Sequence, residues 1–185
     1  MTLTVITPPA APALSRDEVK AHLRVGHDGE DGYIDSLILA ATSQLELASD
    51  LALVERRVMR TLTDWSPRLS GRGLMLLPRP ATSLVSVTIG LPGPGDSEDL
   101  TDRFSLVGGR LCSRPWSMVP PIQAGEAAEI TFDAGFGGTG DVPADLKLAI
   151  MHLVAEAYRT DGDIPIKPLP ERVSQLVASH RQVRL

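Results

Sequence analysis

The sequence is poor in cysteine, in aromatic residues, in excess positive charge and in long apolar runs, and each shortage closes off a class of protein. Its single cysteine, Cys112, excludes an internal disulfide framework and a cysteine-rich zinc site. Aromatic residues make up 4% of the 185 residues, too few for platforms that stack bases or sugars. A formal charge of −5 argues against binding nucleic acid through an overall basic surface. No apolar run reaches the roughly eighteen residues that would span a membrane. The first thirteen residues carry no lysine or arginine and include three prolines, so no secretory signal is expected there. These shortages predict a soluble, cytosolic chain with no membrane partner.

What is present is an apolar share of 43%, enough for one compact domain or one domain with an appended arm. Ser15 and Glu18 form a capping-box pattern, with Leu14 and Val19 placed as a hydrophobic staple, so a helix is predicted over about 16–24. A second helix is predicted over about 31–53. Ile34, Leu37, Ile38, Ala41, Leu45 and Ala48 share one side of it, and Ser36, Leu39, Ser43 and Leu47 share the other. From about 54 to 134 the helical period gives way to β patterns. Val58 and Leu62 sit in a β-permissive stretch, and Leu74 to Leu77 form a short apolar run closed by Pro78 and Pro80. Val85, Val87 and Ile89 alternate, as do Ala128, Ile130 and Phe132. Phe104–Val107 and Arg110–Cys112 flank Gly108-Gly109 as a hairpin would. Four to six short strands in one small antiparallel sheet are expected.

A last long helix is predicted over about 143–159, opening at Pro143. Leu146, Ala149, Ile150, Leu153 and Ala157 make its main stripe, while Leu148, Met151, Ala155 and Tyr158 occupy much of the other side. A helix apolar nearly all round needs cover on more than one side, and in so short a chain the expected second cover is a neighbouring subunit. Residues 161–185 read as a C-terminal arm, a proline-rich linker followed by a short helix carrying Val173, Leu176 and Val177. The predicted class is α+β: a helical bundle from both ends of the chain, an inserted antiparallel sheet, a domain over 1–160 and the arm.

Few patterns bear on chemistry. Gly135-Phe136-Gly137-Gly138-Thr139-Gly140 matches a dinucleotide fingerprint in form, between a strand and a helix. Asp141 puts negative charge where a pyrophosphate needs positive potential, and the proline-rich stretch after the helix cannot be a central parallel strand. His152 and Glu156 lie four apart but lack a third ligand in sequence, so a polar seam with Arg159 pairing to Glu156 is expected instead of a metal site. Cys112 has no nearby histidine, and no nucleophile motif occurs, so neither an enzyme nor a cofactor is expected. Charge is segregated: residues 15–50 carry three basic and eight acidic side chains, residues 55–80 six arginines against two acids. Opposed patches of this kind suit head-to-tail contacts between copies, and the arginines are also placed to face DNA in a channel.

The order of motifs resembles a known family. Leu14-Ser15-Arg16-Asp17-Glu18-Val19-Lys20-Ala21-His22-Leu23-Arg24-Val25 is similar to the opening helix of head–tail connector (adaptor) proteins of tailed phages. An acidic turn and a long helix to Glu46 follow, then Leu76-Leu77-Pro78-Arg79-Pro80 before Ser83-Leu84-Val85-Ser86-Val87, Phe132-Asp133-Ala134-Gly135-Phe136, and Asp141-Val142-Pro143-Ala144-Asp145-Leu146-Lys147. The branch with a β insertion, found in alphaproteobacterial prophages and gene transfer agents, fits best. Gly26 stands where an acid is common, Phe136 where tyrosine is, and residues 1–13 and 137–140 match no part of the pattern.

The resemblance implies a ring of typically about twelve copies in the neck of a phage-like particle, assembled from the host cytoplasm. It would bind the portal on one side and the stopper or tail on the other, and DNA would pass its lumen. It also implies a portal-gripping role for the arm, through Val173, Leu176, Val177, Arg181, Val183, Arg184 and Leu185. The helix faces point to Leu39, Leu47, Leu148, Met151 and Tyr158 as the contacts between subunits. A tail-completion or stopper protein, and a small nucleotide-binding enzyme built on the glycine loop, are the alternative readings.

Overall fold

The computed structural model describes residues 2–91, 97–160 and 169–180, without the side chains of residues 68 and 70. In chain order the elements are β1 (Thr2–Thr7), α1 (Arg16–Leu23), α2 (Asp31–Ser49), β2 (Arg56–Leu62), β3 (Leu74–Met75), β4 (Ala81–Gly90), β5 (Ser97–Asp99), β6 (Phe104–Val107), β7 (Arg110–Ser113), β8 (Ala127–Ala134), α3 (Ala144–Arg159) and α4 (Glu171–Ala178). Helices and antiparallel strands make the class α+β. The chain divides into two units, Met1–Pro9 with Glu55–Gly135 and Ala10–Val54 with Phe136–Leu185.

In the helical unit, Ser15 caps α1. Its hydroxyl accepts the Glu18 N–H at 3.3 Å, and the Glu18 carboxylate accepts the Ser15 N–H at 2.8 Å, which satisfies amides the helix itself leaves unpaired. Arg16 bridges from α1 to Asp31 at 2.8 Å and to Asp35, and Lys20 reaches Asp28 and Asp31 at 2.7 Å each. Lys20 first, then Arg16, holds the Asp31 carboxyl below its usual value, and Arg16 does the same for Asp35. Helix α2 stops at Ser49, short of the predicted 53. Asp50 adopts a left-handed backbone at φ 56°, and its N–H closes on the Glu46 carbonyl. The apolar residues Leu51 to Val54 that prolonged the helical pattern are buried as non-helical chain.

Helix α3 lies at the centre of this unit, with Leu146, Ala149, Ile150, Leu153, Val154 and Ala157 buried. Helices α1, α2 and α4 all pack against it. The second cover expected from a neighbouring subunit is therefore corrected: it comes from the chain's own α4, whose Val173 and Val177 enter the same core. His180 closes the arrangement, with Nε2 at 2.8 Å from Asp145 Oδ2 and its ring edge-on to Phe136 at 5.9 Å.

The β unit holds two sheets, in the orders β1-β2-β8-β4-β5 and β3-β7-β6, where one was expected. Val58, Phe132 and Leu84 form one cross-strand row, Arg60, Ile130 and Val87 the next, and Leu62, Ala128 and Ile89 a third. These rows make the covered face of the larger sheet. The predicted alternation of Val85 with Val87 fails because of a bulge. Leu84 pairs with Phe132 and Ser86 with Thr131, so Val85 is an extra residue turned out to solvent. Arg60 sits on the covered face and donates to the Met75 carbonyl at 2.9 Å, and burial lowers its pKa. On the other face Arg57 grips Asp133 through two bonds, of 2.8 and 3.2 Å, and Ser83 adds a third at 2.7 Å. The expected β6–β7 hairpin turns through Gly108 and Gly109 at φ 56° and 73°, positive angles that a two-residue hairpin loop requires.

Two predictions follow from the helical unit. Val177→Ala should cost about 2 kcal/mol in urea unfolding, with hydrogen-exchange protection lost first in α4; unchanged stability would show that α4 is no part of the core. The depressed Asp31 and Asp35 stabilise the fold above the ordinary carboxylate value of about 3.9, and that contribution disappears as pH falls through their lowered values. The stability gap between the natural chain and Arg16→Gln should thus be constant near neutrality and close in acid. A gap independent of pH would mean that Arg16 acts by packing alone.

Candidate functional site

The glycine loop is filled by the chain's own carboxylate. Asp141 Oδ2 accepts the Gly138 N–H at 2.9 Å and lies 2.6 Å from where a Cβ on Gly137 would stand. Gly137, at φ 119°, both turns the chain and makes room for that carboxylate. Negative charge thus occupies the hollow a phosphate would need. The preceding strand β8 is antiparallel to both its neighbours and forms no β-α-β unit. His152 stands edge-on to His22 at 6.1 Å, and burial, with the charges of Arg172 and His22, keeps it below its usual pKa. Arg159 donates to the Ala155 carbonyl at 3.0 Å, within its own helix, where a pair with Glu156 was expected. Among the described residues no group of three or more His, Cys, Asp or Glu stands close enough to hold a metal ion. No helix among them is long and apolar enough to cross a membrane.

The arginine-rich stretch is not one free basic patch. Arg57 is bound to Asp133 and Arg60 is buried on the sheet's covered face. Part of the acidic helical end is likewise neutralised at home by Arg16 and Lys20.

An open apolar surface remains on α2. Leu39 and Leu47 are 62% and 72% exposed, and Ser36, Ala40 and Ser43 share their side of the helix. Thr42 Oγ1 and both amide atoms of Gln44, on the flanks of this side, are shielded from solvent and find no hydrogen-bond partner among the described residues. The α3 residues expected at a subunit contact divide. Leu148 is 39% exposed, whereas Met151 packs on its own core and the Tyr158 hydroxyl donates to Glu30, its ring beside Tyr33. Met151 and Tyr158 are thus already engaged inside the subunit. Of the arm residues, Val173 and Val177 are buried and Leu176 packs partly against the same core. Arg181, Val183, Arg184 and Leu185 lie outside the described residues.

Two surface features escaped the sequence reading. Residues 2–7 form β1 at one edge of the larger sheet, exposed throughout, with Leu3 and Val5 opposite Arg60 and Val58. The run of β-branched residues in Thr2-Leu3-Thr4-Val5-Ile6-Thr7 was the available signal. The second is the loop after β7. Trp116 is fully exposed, with a left-handed backbone at φ 66°, and Met118 is 84% exposed. Side chains pin the loop to the β unit: Arg103 donates to the Met118 carbonyl at 2.8 Å, Arg114 to the Phe104 carbonyl at 2.9 Å, and Trp65 to the Pro120 carbonyl at 2.8 Å. Prolines on both sides of Trp116 announced a fixed loop, but nothing in the sequence told its tryptophan from a core residue.

No family model matches the chain, and no curated protein does. Solved structures do. A chain in the neck of an empty gene transfer agent particle, computed with C6 symmetry, superimposes with a TM-score of 0.82 at 28% identity, covering 100% of this chain and 97% of that one. A chain in the virion of the native gene transfer agent particle gives 0.82 at 27% with the same coverage. A chain in the native neck, computed with C12 symmetry, gives 0.78 at 27%. Residues 1–13 and 137–140 are included in these full-length matches. With an α+β fold and similarity at this level from end to end, the chain is similar over its whole length to chains of gene transfer agent particles, two of them in the neck, which supports a head–tail connector-like family.

Proposed function

We propose that this chain is the head–tail adaptor subunit of a phage-like particle. Copies of it, about twelve by likeness to a C12 neck, form a ring between the portal and the stopper or tail, and DNA crosses the lumen. The function is structural, without catalysis or cofactor. The observation that carries this reading is the full-length similarity to chains of gene transfer agent necks. The engaged state of Arg57 and Arg60 fits a lumen that DNA traverses without sequence-specific binding.

Contact between subunits is made through the outer side of α2, with Leu39 and Leu47 at its centre and Leu148 of α3 as a further exposed contributor. Portal contact falls to residues 181–185, since Val173 and Val177 are occupied in the core.

The paired substitution Leu39→Asp and Leu47→Asp should abolish ring assembly and leave a folded monomer, as read by mass photometry and circular dichroism. Assembly at the natural level would remove α2 from the interface. Ending the chain after His180 should leave the fold intact and lose portal binding; a truncated chain that still captures purified portal would exclude the tail as the gripping element. Deleting all of 161–185 would in addition remove α4, and with it Val173 and Val177, from the core around α3.

A further inference from the structure

We propose that the Trp116–Met118 loop is the knob by which each copy docks on the outer side of α2 of the next copy. This rests on the adaptor-ring reading and names the second half of its subunit contact. A ring with cyclic symmetry joins two different patches, so the α2 surface needs an unlike complement elsewhere on the chain. The loop after β7 has the properties of such a complement.

Trp116 is wholly exposed beside an 84% exposed Met118, and an indole and a thioether held in water are costly unless something covers them. The loop is also built to hold them out. Arg103, Arg114 and Trp65 each donate to a backbone carbonyl in or beside it, the Ser117 N–H closes a turn on the Arg114 carbonyl at 3.1 Å, and Trp116 takes a left-handed backbone that few non-glycine residues adopt. A side chain presented this way loses little freedom on docking, and tryptophan is among the residues most enriched at the energetic centres of interfaces.

Charge and shape point to α2 as the receiver. Residues 103–125 hold three arginines and no acid. Asp31 and Asp35 of α2 are paired with Arg16 and Lys20, but residues 15–50 as a whole carry eight acids against three basic residues. Arg103 is paired with Glu98, but Arg110 and Arg114 donate to carbonyls, which bonds them without cancelling their charge. On α2 the small residues Ser36, Ala40 and Ser43 share the side of Leu39 and Leu47, leaving a shallow floor of the kind an indole can cover. An apolar knob on an arginine-bearing segment thus faces an apolar floor at the acidic end of the helical unit.

The test is photocrosslinking in the assembled particle. The chain is made with p-benzoylphenylalanine in place of Trp116 and, separately, of Met118, and is incorporated into particles alongside the other neck proteins. Purified particles are irradiated and the linked peptides are sequenced. The expected product is a dimer of this chain joined through residues 31–49, and Trp116→Ala should lower incorporation by about tenfold or more. A link to another particle protein or to DNA, a dimer joined through a different segment, or no link at all overturns the proposal and leaves the adaptor reading standing. Particles that contain none of the natural chain, made in parallel, overturn the adaptor reading, and the knob with it.

Discussion

Everything in the helical unit depends on how α3 is enclosed. Its residues are apolar around most of the circumference, and such a helix cannot rest against a single partner layer. The chain meets this demand itself. Helices α1 and α2 pack on it, and α4 returns from the far end of the sequence to bring Val173 and Val177 into the same core. Because α3 is satisfied at home, the open apolar surface of the unit falls to α2, where Leu39 and Leu47 stand clear of the core. The apolar excess visible in the sequence is therefore divided between this core and surface positions left open, among them Leu39 and Leu47 on α2 and Trp116 and Met118 in the β unit.

The same economy governs charge. Arginines that look in sequence like a basic strip are drawn into the fold: Arg57 holds Asp133 from the adjacent strand, and Arg60 is buried with a donor on a backbone carbonyl. Asp141 behaves likewise in the glycine loop, where its carboxylate satisfies the loop amide that a phosphate would otherwise seek. In each case a residue with apparent chemistry is used locally, and what remains is a surface suited to binding other proteins.

Much of this was legible in the residues. The capping box at Ser15, the Gly108-Gly109 hairpin and the alternating Ala128, Ile130 and Phe132 rest on local rules, and the structure follows them. Non-local decisions were not legible. The bulge that turns Val85 outward is set by pairing with β8, on which the strand's own pattern is silent. The destination of α4 depends on whether its apolar side meets its own α3 or a partner, and both use the same residues. Trp116 shows the limit most plainly, since only the fold decides whether a lone tryptophan is core or exposed. The family resemblance supplied what periodicity lacked, and the full-length similarity to gene transfer agent neck chains agrees with it.

The central claim is that this chain is a ring-forming part of a particle neck. Electron microscopy of the purified chain mixed with the portal of its own particle tests it most directly. The account predicts rings of about twelve copies stacked coaxially on the portal, with density for the β unit and the helical unit repeated around a continuous lumen. Portal rings left bare at saturating chain, or decorated by copies that share no common axis, would contradict it.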